Sequence, residues 1–177
     1  MKIKLLNIFI VVFIAISILA LTGCNSKEDK AEDTIRGFID KHYVADKIDL
    51  EEFEEYVKNG SGIGYNLDKK DKEFAEYMTE KAFNNYIMDR YIFNRFKLLY
   101  EKNCTAEIKD LEITEKEKSE DMRRFNVKFN WIIKNDKEEI VEEHKVGKDM
   151  YLSKENGQWL INQYNRFEIL YDNFNMG

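Results

Sequence analysis

The chain has no proline among its 177 residues, only 2 cysteines, only 2 histidines and 8 glycines. Each scarcity excludes something. Without proline there are no proline kinks and no cis-proline turns to place. Two cysteines allow at most one intrachain disulfide. Two histidines, His42 and His144, lie far apart, so a His-Glu-x-x-His metal motif is absent, as is a Gly-x-Ser-x-Gly nucleophile elbow. No metal and no cofactor are expected. The one glycine-rich stretch, Asn59-Gly60-Ser61-Gly62-Ile63-Gly64, follows a helical pattern and lacks the Lys-Ser or Lys-Thr ending of a phosphate-cradling loop. It reads as a connection.

What is present begins with an export signal. Lys2 and Lys4 form a short basic region, an apolar run extends from about Leu5 to Leu21, and small residues follow. The run ends in Leu21-Thr22-Gly23-Cys24, after which the sequence turns abruptly polar. These four residues resemble the lipobox of bacterial lipoproteins: an aliphatic residue, two small or uncharged residues, and a cysteine that becomes lipidated and then N-terminal. The resemblance implies signal cleavage after Gly23 and lipidation of Cys24, with two or three palmitate-type acyl chains in the bilayer. One chain binds membranes marginally, at about 0.8 kcal/mol per buried methylene, whereas two or more anchor stably. A competing reading is an uncleaved anchor, since the run approaches the ~18 residues of a spanning helix. Both readings put Asn25 onward on the extracytoplasmic face of the cell membrane.

Removing the leader takes away two lysines and no acid, leaving 26 basic against 34 acidic side chains, a formal charge of −8. A surface this acidic is a poor ligand for nucleic acid or anionic lipid. With 35% charged residues and 14% aromatics, the exported part has material for both a core and a solvated surface. The expected organisation is a signal peptide over 1–23, a lipidated tether over 24–32 and a single α+β domain over 33–177. If Cys24 carries lipid, Cys104 has no intrachain partner; it reads as a small buried hydrophobe.

Helical spacing runs from Ala31 through Ile35, Phe38, Ile39 and His42 or Tyr43, with Asp33 or Thr34 able to cap the start. A second helix is predicted over Asp49 to Lys58. It buries Leu50, Phe53 and Tyr56 or Val57 and leaves Glu51, Glu52, Glu54 and Glu55 exposed. That acidic group is able to attract a cation or a basic partner, but a solvated helix face is the preferred reading, since no EF-hand loop of alternating acids follows. After Asp71 a long aromatic helix is predicted, with Phe74, Tyr77, Met78, Phe83, Tyr86, Ile87, Phe93, Phe96 and Leu99 in its stripe and a break near Met88 to Tyr91.

The period then changes. Thr105 to Thr114 reads as a strand whose apolar positions slip from even to odd, which predicts a bulge near Asp110. The charged run Glu115 to Asp121 reads as a loop. Phe125, Val127, Phe129, Trp131 and Ile133 alternate with polar residues, Asn135-Asp136 reads as a turn, and a third strand runs from about Glu138 to Leu152. Glu155-Asn156-Gly157 turns into a fourth strand from Gln158 to Arg166. The fold class is therefore α+β: N-terminal helices on a mainly antiparallel, curved sheet of about four strands.

Helices before strands, the long aromatic helix and the closing hairpin Glu155-Asn156-Gly157-Gln158-Trp159-Leu160-Ile161 resemble the nuclear transport factor-like, or cystatin-like, superfamily. The resemblance covers nearly all of Ala31 to Phe167. It implies a cone whose open end holds a ligand, dimerises or does chemistry. Since that fold hosts enzymes and non-enzymes alike, three functions stay open. One is a non-catalytic binding or interaction module for an unknown protein or small ligand. Another is an isomerase- or dehydratase-like enzyme, which needs a buried Asp or His base beside a Tyr or Asp donor. The third is an adaptor in an envelope secretion or conjugation assembly. Tyr86, Tyr91, His144 and Asp149 are residue types suited to the enzyme, although none maps onto a catalytic position. Tyr77, Tyr86, Trp131 and Trp159 are the candidate pocket lining, or else plain core. A cone filled by aromatics is expected of a surface binder, and an open one of an enzyme.

Overall fold

The computed structural model of the chain describes residues 30–58, 72–88 and 91–163, without the side chains of Tyr56 and Tyr91. The chain divides into two units, Met1–Lys30 and Ala31–Gly177. Apart from Lys30, the first unit lies outside the described residues, and with it the leader and Cys24. So do the glycine-rich stretch at 59–64 and the expected end of the last strand, 164–166. Among the described residues no helix is long and apolar enough to cross a membrane.

The second unit is an α+β domain. Its helices α1 (Ala31–Tyr43), α2 (Lys47–Lys58), α3 (Glu80–Met88) and α4 (Tyr91–Lys102) precede strands β1 (Thr105–Lys118), β2 (Met122–Lys134), β3 (Ile140–Glu155) and β4 (Gln158–Gln163). The strands form one antiparallel sheet in the order β1-β2-β3-β4.

In α1 the residues Ala31, Ile35, Phe38, Ile39, His42 and Tyr43 are buried, a stripe of three- and four-residue steps that faces β1 and β4. The helix begins within the stretch expected to be tether, because Ala31 is already part of the core. Thr34 therefore does not cap it; its hydroxyl donates to the Trp159 carbonyl at 2.9 Å instead.

The start of α2 is fixed by a reciprocal cap. The Asp49 amide donates to Asp46 Oδ1 at 3.0 Å, and the Asp46 amide donates to Asp49 Oδ2 at 3.1 Å. This is a capping box with aspartate in the glutamate position. Just before it, Ala45 exchanges two 2.9 Å backbone hydrogen bonds with Ala106, which ties the α1–α2 connection to the start of β1.

The stripe read as one helix from Phe74 is broken earlier than expected. Residues 72–75 form a helical turn, but Glu76 and Tyr77 turn out of it and Met78 bridges to Ile161 of β4. The Thr79 amide donates to the Ile161 carbonyl at 3.0 Å, and the Ile161 amide donates to the Tyr77 carbonyl at 2.8 Å. Thr79 Oγ1 then accepts from the Ala82 amide at 3.3 Å and so caps α3. Of the break expected near Met88 to Tyr91, residues 89–90 lie outside the described residues. At its other end α4 closes with a Schellman arrangement: Asn103 has φ of 50°, its amide reaches the Tyr100 carbonyl, and the Cys104 amide reaches the Leu99 carbonyl.

The bulge expected near Asp110 is present. Asp110 has φ of 54°, and the β1–β2 register shifts between Lys109 and Glu112. The charged run beyond it differs from expectation. Glu115 to Lys118 continue β1, with Glu115 opposite Phe125 and Glu117 opposite Arg124, and only Ser119 to Asp121 turn. The strand persists because its partner supplies cations: Arg123 meets Glu115 at 3.2 Å and Arg124 meets Glu117 at 2.8 Å. At the closing hairpin, Asn156 and Gly157 both have positive φ (51° and 83°), the requirement of a two-residue type I′ turn.

One sheet face supplies the core. Phe125, Val127, Phe129, Trp131 and Ile133 of β2 are at most 3% exposed and join the helix stripes in one cluster. On the opposite face β2 is polar from Arg124 to Asn130, but Ile132, between Glu107 and Glu143 of the neighbouring strands, is 2% exposed yet outside that cluster.

Candidate functional site

The core contains polar groups where three helices meet the sheet. His42 of α1 and Tyr86 of α3 bring Nδ1 and Oη to 2.7 Å, and their exposures are 3% and 2%. The His42 ring stacks on Phe38 at 5.5 Å with 10° between planes and meets the Tyr43 ring edge-on at 4.5 Å. Phe74 lies 5.1 Å from the Tyr86 ring. Arg95 of α4, also buried, donates to the Lys41 carbonyl at 3.2 Å. Trp131 completes the group, with its indole N–H donating to the Tyr43 carbonyl at 2.8 Å and Tyr43 touching Phe129 at 4.7 Å.

The electrostatics of this cluster follow from burial. Desolvation, with the Arg95 guanidinium second, holds His42 well below the ordinary 6.5, so the imidazole is neutral at physiological pH. Burial likewise pushes the Tyr43 hydroxyl well above its ordinary 10. A neutral imidazole bonded to a phenol is a proton donor–acceptor pair in chemical type. Here both rings are closed off from solvent by aromatic neighbours, and the pair serves to satisfy two polar groups inside an apolar core.

The residues singled out from sequence are divided by the structure. Tyr86 and Trp131 belong to this cluster, joined through His42 and Tyr43. Trp159 lies instead two residues before Ile161 on β4, and the Tyr77 carbonyl accepts from the Ile161 amide. Trp159, 7% exposed, has the Arg123 guanidinium 4.6 Å and the Lys154 ammonium 5.6 Å from its ring centre. Tyr77 packs onto Gly37 of α1 so closely that a β-carbon there would stand 2.8 Å from its Cζ and Oη. The side chain of Tyr91 is not among those described.

Asp149 is held in an ion-paired network with Arg124 of β2, whereas His144 borders the cluster, its ring centre 5.6 Å from that of Trp131, and pairs with Glu142. His144 Nε2 stands 3.0 Å from Glu142, which also receives Lys102 at 2.9 Å. Burial opposes charge on Glu142, but its bonds from Lys102 and His144 prevail and hold its carboxyl below the usual value. Asp149 accepts from Asn126 at 3.0 Å and from Arg124 at 3.1 and 2.6 Å; these bonds keep it ionised. Cys104 is 5% exposed, its thiol donates to the Lys102 carbonyl at 3.3 Å, and burial pushes its pKa up, against nucleophilic use.

A cleft of about 200 Å³ lies elsewhere, lined by Leu50, Glu51 and Glu54 of α2, Tyr100 and Asn103 at the end of α4, and Asp136 in the β2–β3 turn. None of the four aromatics expected to line a pocket contributes to it. Among the described residues no three His, Cys, Asp or Glu side chains are grouped to hold a metal ion.

His42 and Arg95 were not read as site residues from the sequence. A signal existed: each is a polar residue inside an otherwise apolar helical stripe, His42 after Phe38 and Ile39, and Arg95 between Phe93 and Phe96. Compared with known proteins, the chain matches no protein-family model and no curated protein.

Proposed function

We propose that this chain is an extracytoplasmic lipoprotein, anchored by acyl chains on Cys24, whose domain is a non-catalytic binding or interaction module at the membrane surface. The observation that carries the anchor is Leu21-Thr22-Gly23-Cys24 at the junction between an apolar run and a charged sequence. Support for a binding role comes from the way the helix side of the sheet is filled. Tyr43, Phe38, Phe129 and Trp131 occupy the interior where a catalytic cone would hold substrate, and His42 and Tyr86 satisfy each other there. Recognition then falls to the outer surface, which carries the acidic excess. Cys24→Ala should leave a precursor that is neither cleaved nor labelled by radioactive palmitate, whereas the unaltered chain is processed and labelled. Normal processing and labelling of the variant would refute the anchor.

A further inference from the structure

We propose that Asn156, at the tip of the β3–β4 hairpin, is a site of spontaneous deamidation whose isoaspartyl product releases β4. The inference is independent of the anchor and of the binding role. Deamidation at an Asn-Gly pair needs an unengaged carboxamide, an unengaged amide nitrogen on the next residue, and room for the two to close an imide ring. Asn156 meets each condition. Its side chain is exposed and makes no hydrogen bond among the described residues. Glu155 pairs with Gln158 across the turn, so the two residues between them fall outside the ladder, and the Gly157 amide has no backbone acceptor among the described residues. Nothing lies within 4 Å of where a β-carbon on Gly157 would stand, so no neighbour shields the nitrogen on that side.

The other described asparagines lack one or more of these conditions. Asn135, in the β2–β3 turn, is tied by its own side chain: Oδ1 accepts the Lys137 and Glu139 amides, both at 3.0 Å, and Nδ2 donates to the Glu139 carboxylate at 2.9 Å. Asn103 precedes Cys104, whose amide is committed to the Leu99 carbonyl at 2.9 Å. Asn126 and Asn130 donate to Asp149 and Asp110, each at 3.0 Å. The rest lie within helices or β4, where the following amide belongs to the backbone ladder.

The chemistry at Asn156 consumes only water. The Gly157 nitrogen attacks Asn156 Cγ; the N–Cγ bond forms, the Cγ–Nδ2 bond breaks, and ammonia leaves with the amide proton. Water then opens the imide at either carbonyl. One opening gives aspartate, which suits the turn, since Asp-Gly satisfies type I′ as Asn-Gly does. The other gives isoaspartate, whose main chain runs through the former side chain and is longer by a methylene. Because a two-residue loop fixes the register of its strands, that methylene puts Gln158 out of step with Glu155. The strain falls on β4, whose Trp159 carbonyl holds Thr34 and whose Ile161 holds the 77–79 segment.

The test incubates the full-length chain, folded in detergent, in mildly alkaline buffer. Trypsin then releases the peptide from Glu155 to Arg166, and fragmentation that distinguishes isoaspartate from aspartate reads it. Asn156 should show the mass change of an amide turned to an acid at least about tenfold faster than Asn135, whose hydrogen bonds must open first. Isoaspartate should be among the products. The aged chain, enriched by chromatography for that product, should melt at least about 4 °C below the unaltered chain, whereas Asn156→Asp should melt within about 1 °C of it. An Asn156 that stays intact in the folded chain while the free peptide of the same sequence deamidates would overturn the proposal. So would equal rates at Asn156 and Asn135, aspartate as the sole product, or an isoaspartyl form that melts with the unaltered chain.

Discussion

Acid should loosen this domain well before its carboxylates titrate, and His42 is the cause. In the unfolded chain the imidazole takes a proton near pH 6.5, whereas in the native core burial and Arg95 keep it neutral. The unfolded state therefore binds more protons below pH 6.5, and stability falls as pH falls, by up to ~1.4 kcal/mol per pH unit. Between pH 7.5 and 5 the loss amounts to about 2 kcal/mol if native His42 stays neutral throughout. Glu107, Glu142 and Asp149 also have lowered pKa values, which stabilise the fold above their unfolded values near 4 and are lost below them. They act in the same direction but in a lower window. Urea unfolding read by tryptophan fluorescence at several pH values isolates the upper one. With a slope of roughly 2 kcal/mol per molar, the midpoint should drop by about 1 M between pH 7.5 and 5. His42→Gln removes the titrating group and should flatten that dependence. The reasoning fails if the unaltered chain is flat across this range, or if His42→Gln keeps the full slope.

Two further outcomes follow from local geometry. Gly37→Ala places a methyl group against the Tyr77 ring and should cost about 1–3 kcal/mol, visible as a lowered melting temperature; Gly37→Ala combined with Tyr77→Ala should recover part of it. Thr79→Ala removes the hydroxyl that caps α3 and should cost about 1 kcal/mol by urea denaturation, while Thr79→Ser should cost distinctly less.

The elements that could be read in advance are those whose signal is local. Alternation from Phe125 to Ile133 marks β2, the slip in period at Asp110 marks the bulge, and Asn156-Gly157 marks the turn, because pleat and φ are properties of a few adjacent residues. Less legible was whatever depended on a distant partner. Glu115 to Lys118 looked like loop until Arg123 and Arg124 were set across from it. Phe74 to Ile87 looked continuous because its apolar spacing barely changes where the chain leaves the helix before Thr79, and the reason for leaving is Ile161. The site was legible in part. Aromatic residues of the core could be named individually, but the pairing of His42 with Tyr86 joins two helices, and spacing within either helix carries no record of the other.

The position of β4 has a consequence for when this domain can form. Ile161 is held on one side by Leu152 and on the other by the 77–79 segment, and the Trp159 carbonyl receives Thr34 from the first helix. The first helix and the entry to α3 thus obtain these partners from the last described strand. During synthesis they must wait for nearly the whole domain, and contacts spanning so much sequence fold slowly. Under the lipoprotein reading proposed above, in which the chain is threaded outward through a membrane, that order is an advantage. The chain's front half lacks the strand that would lock it into a shape too bulky to pass.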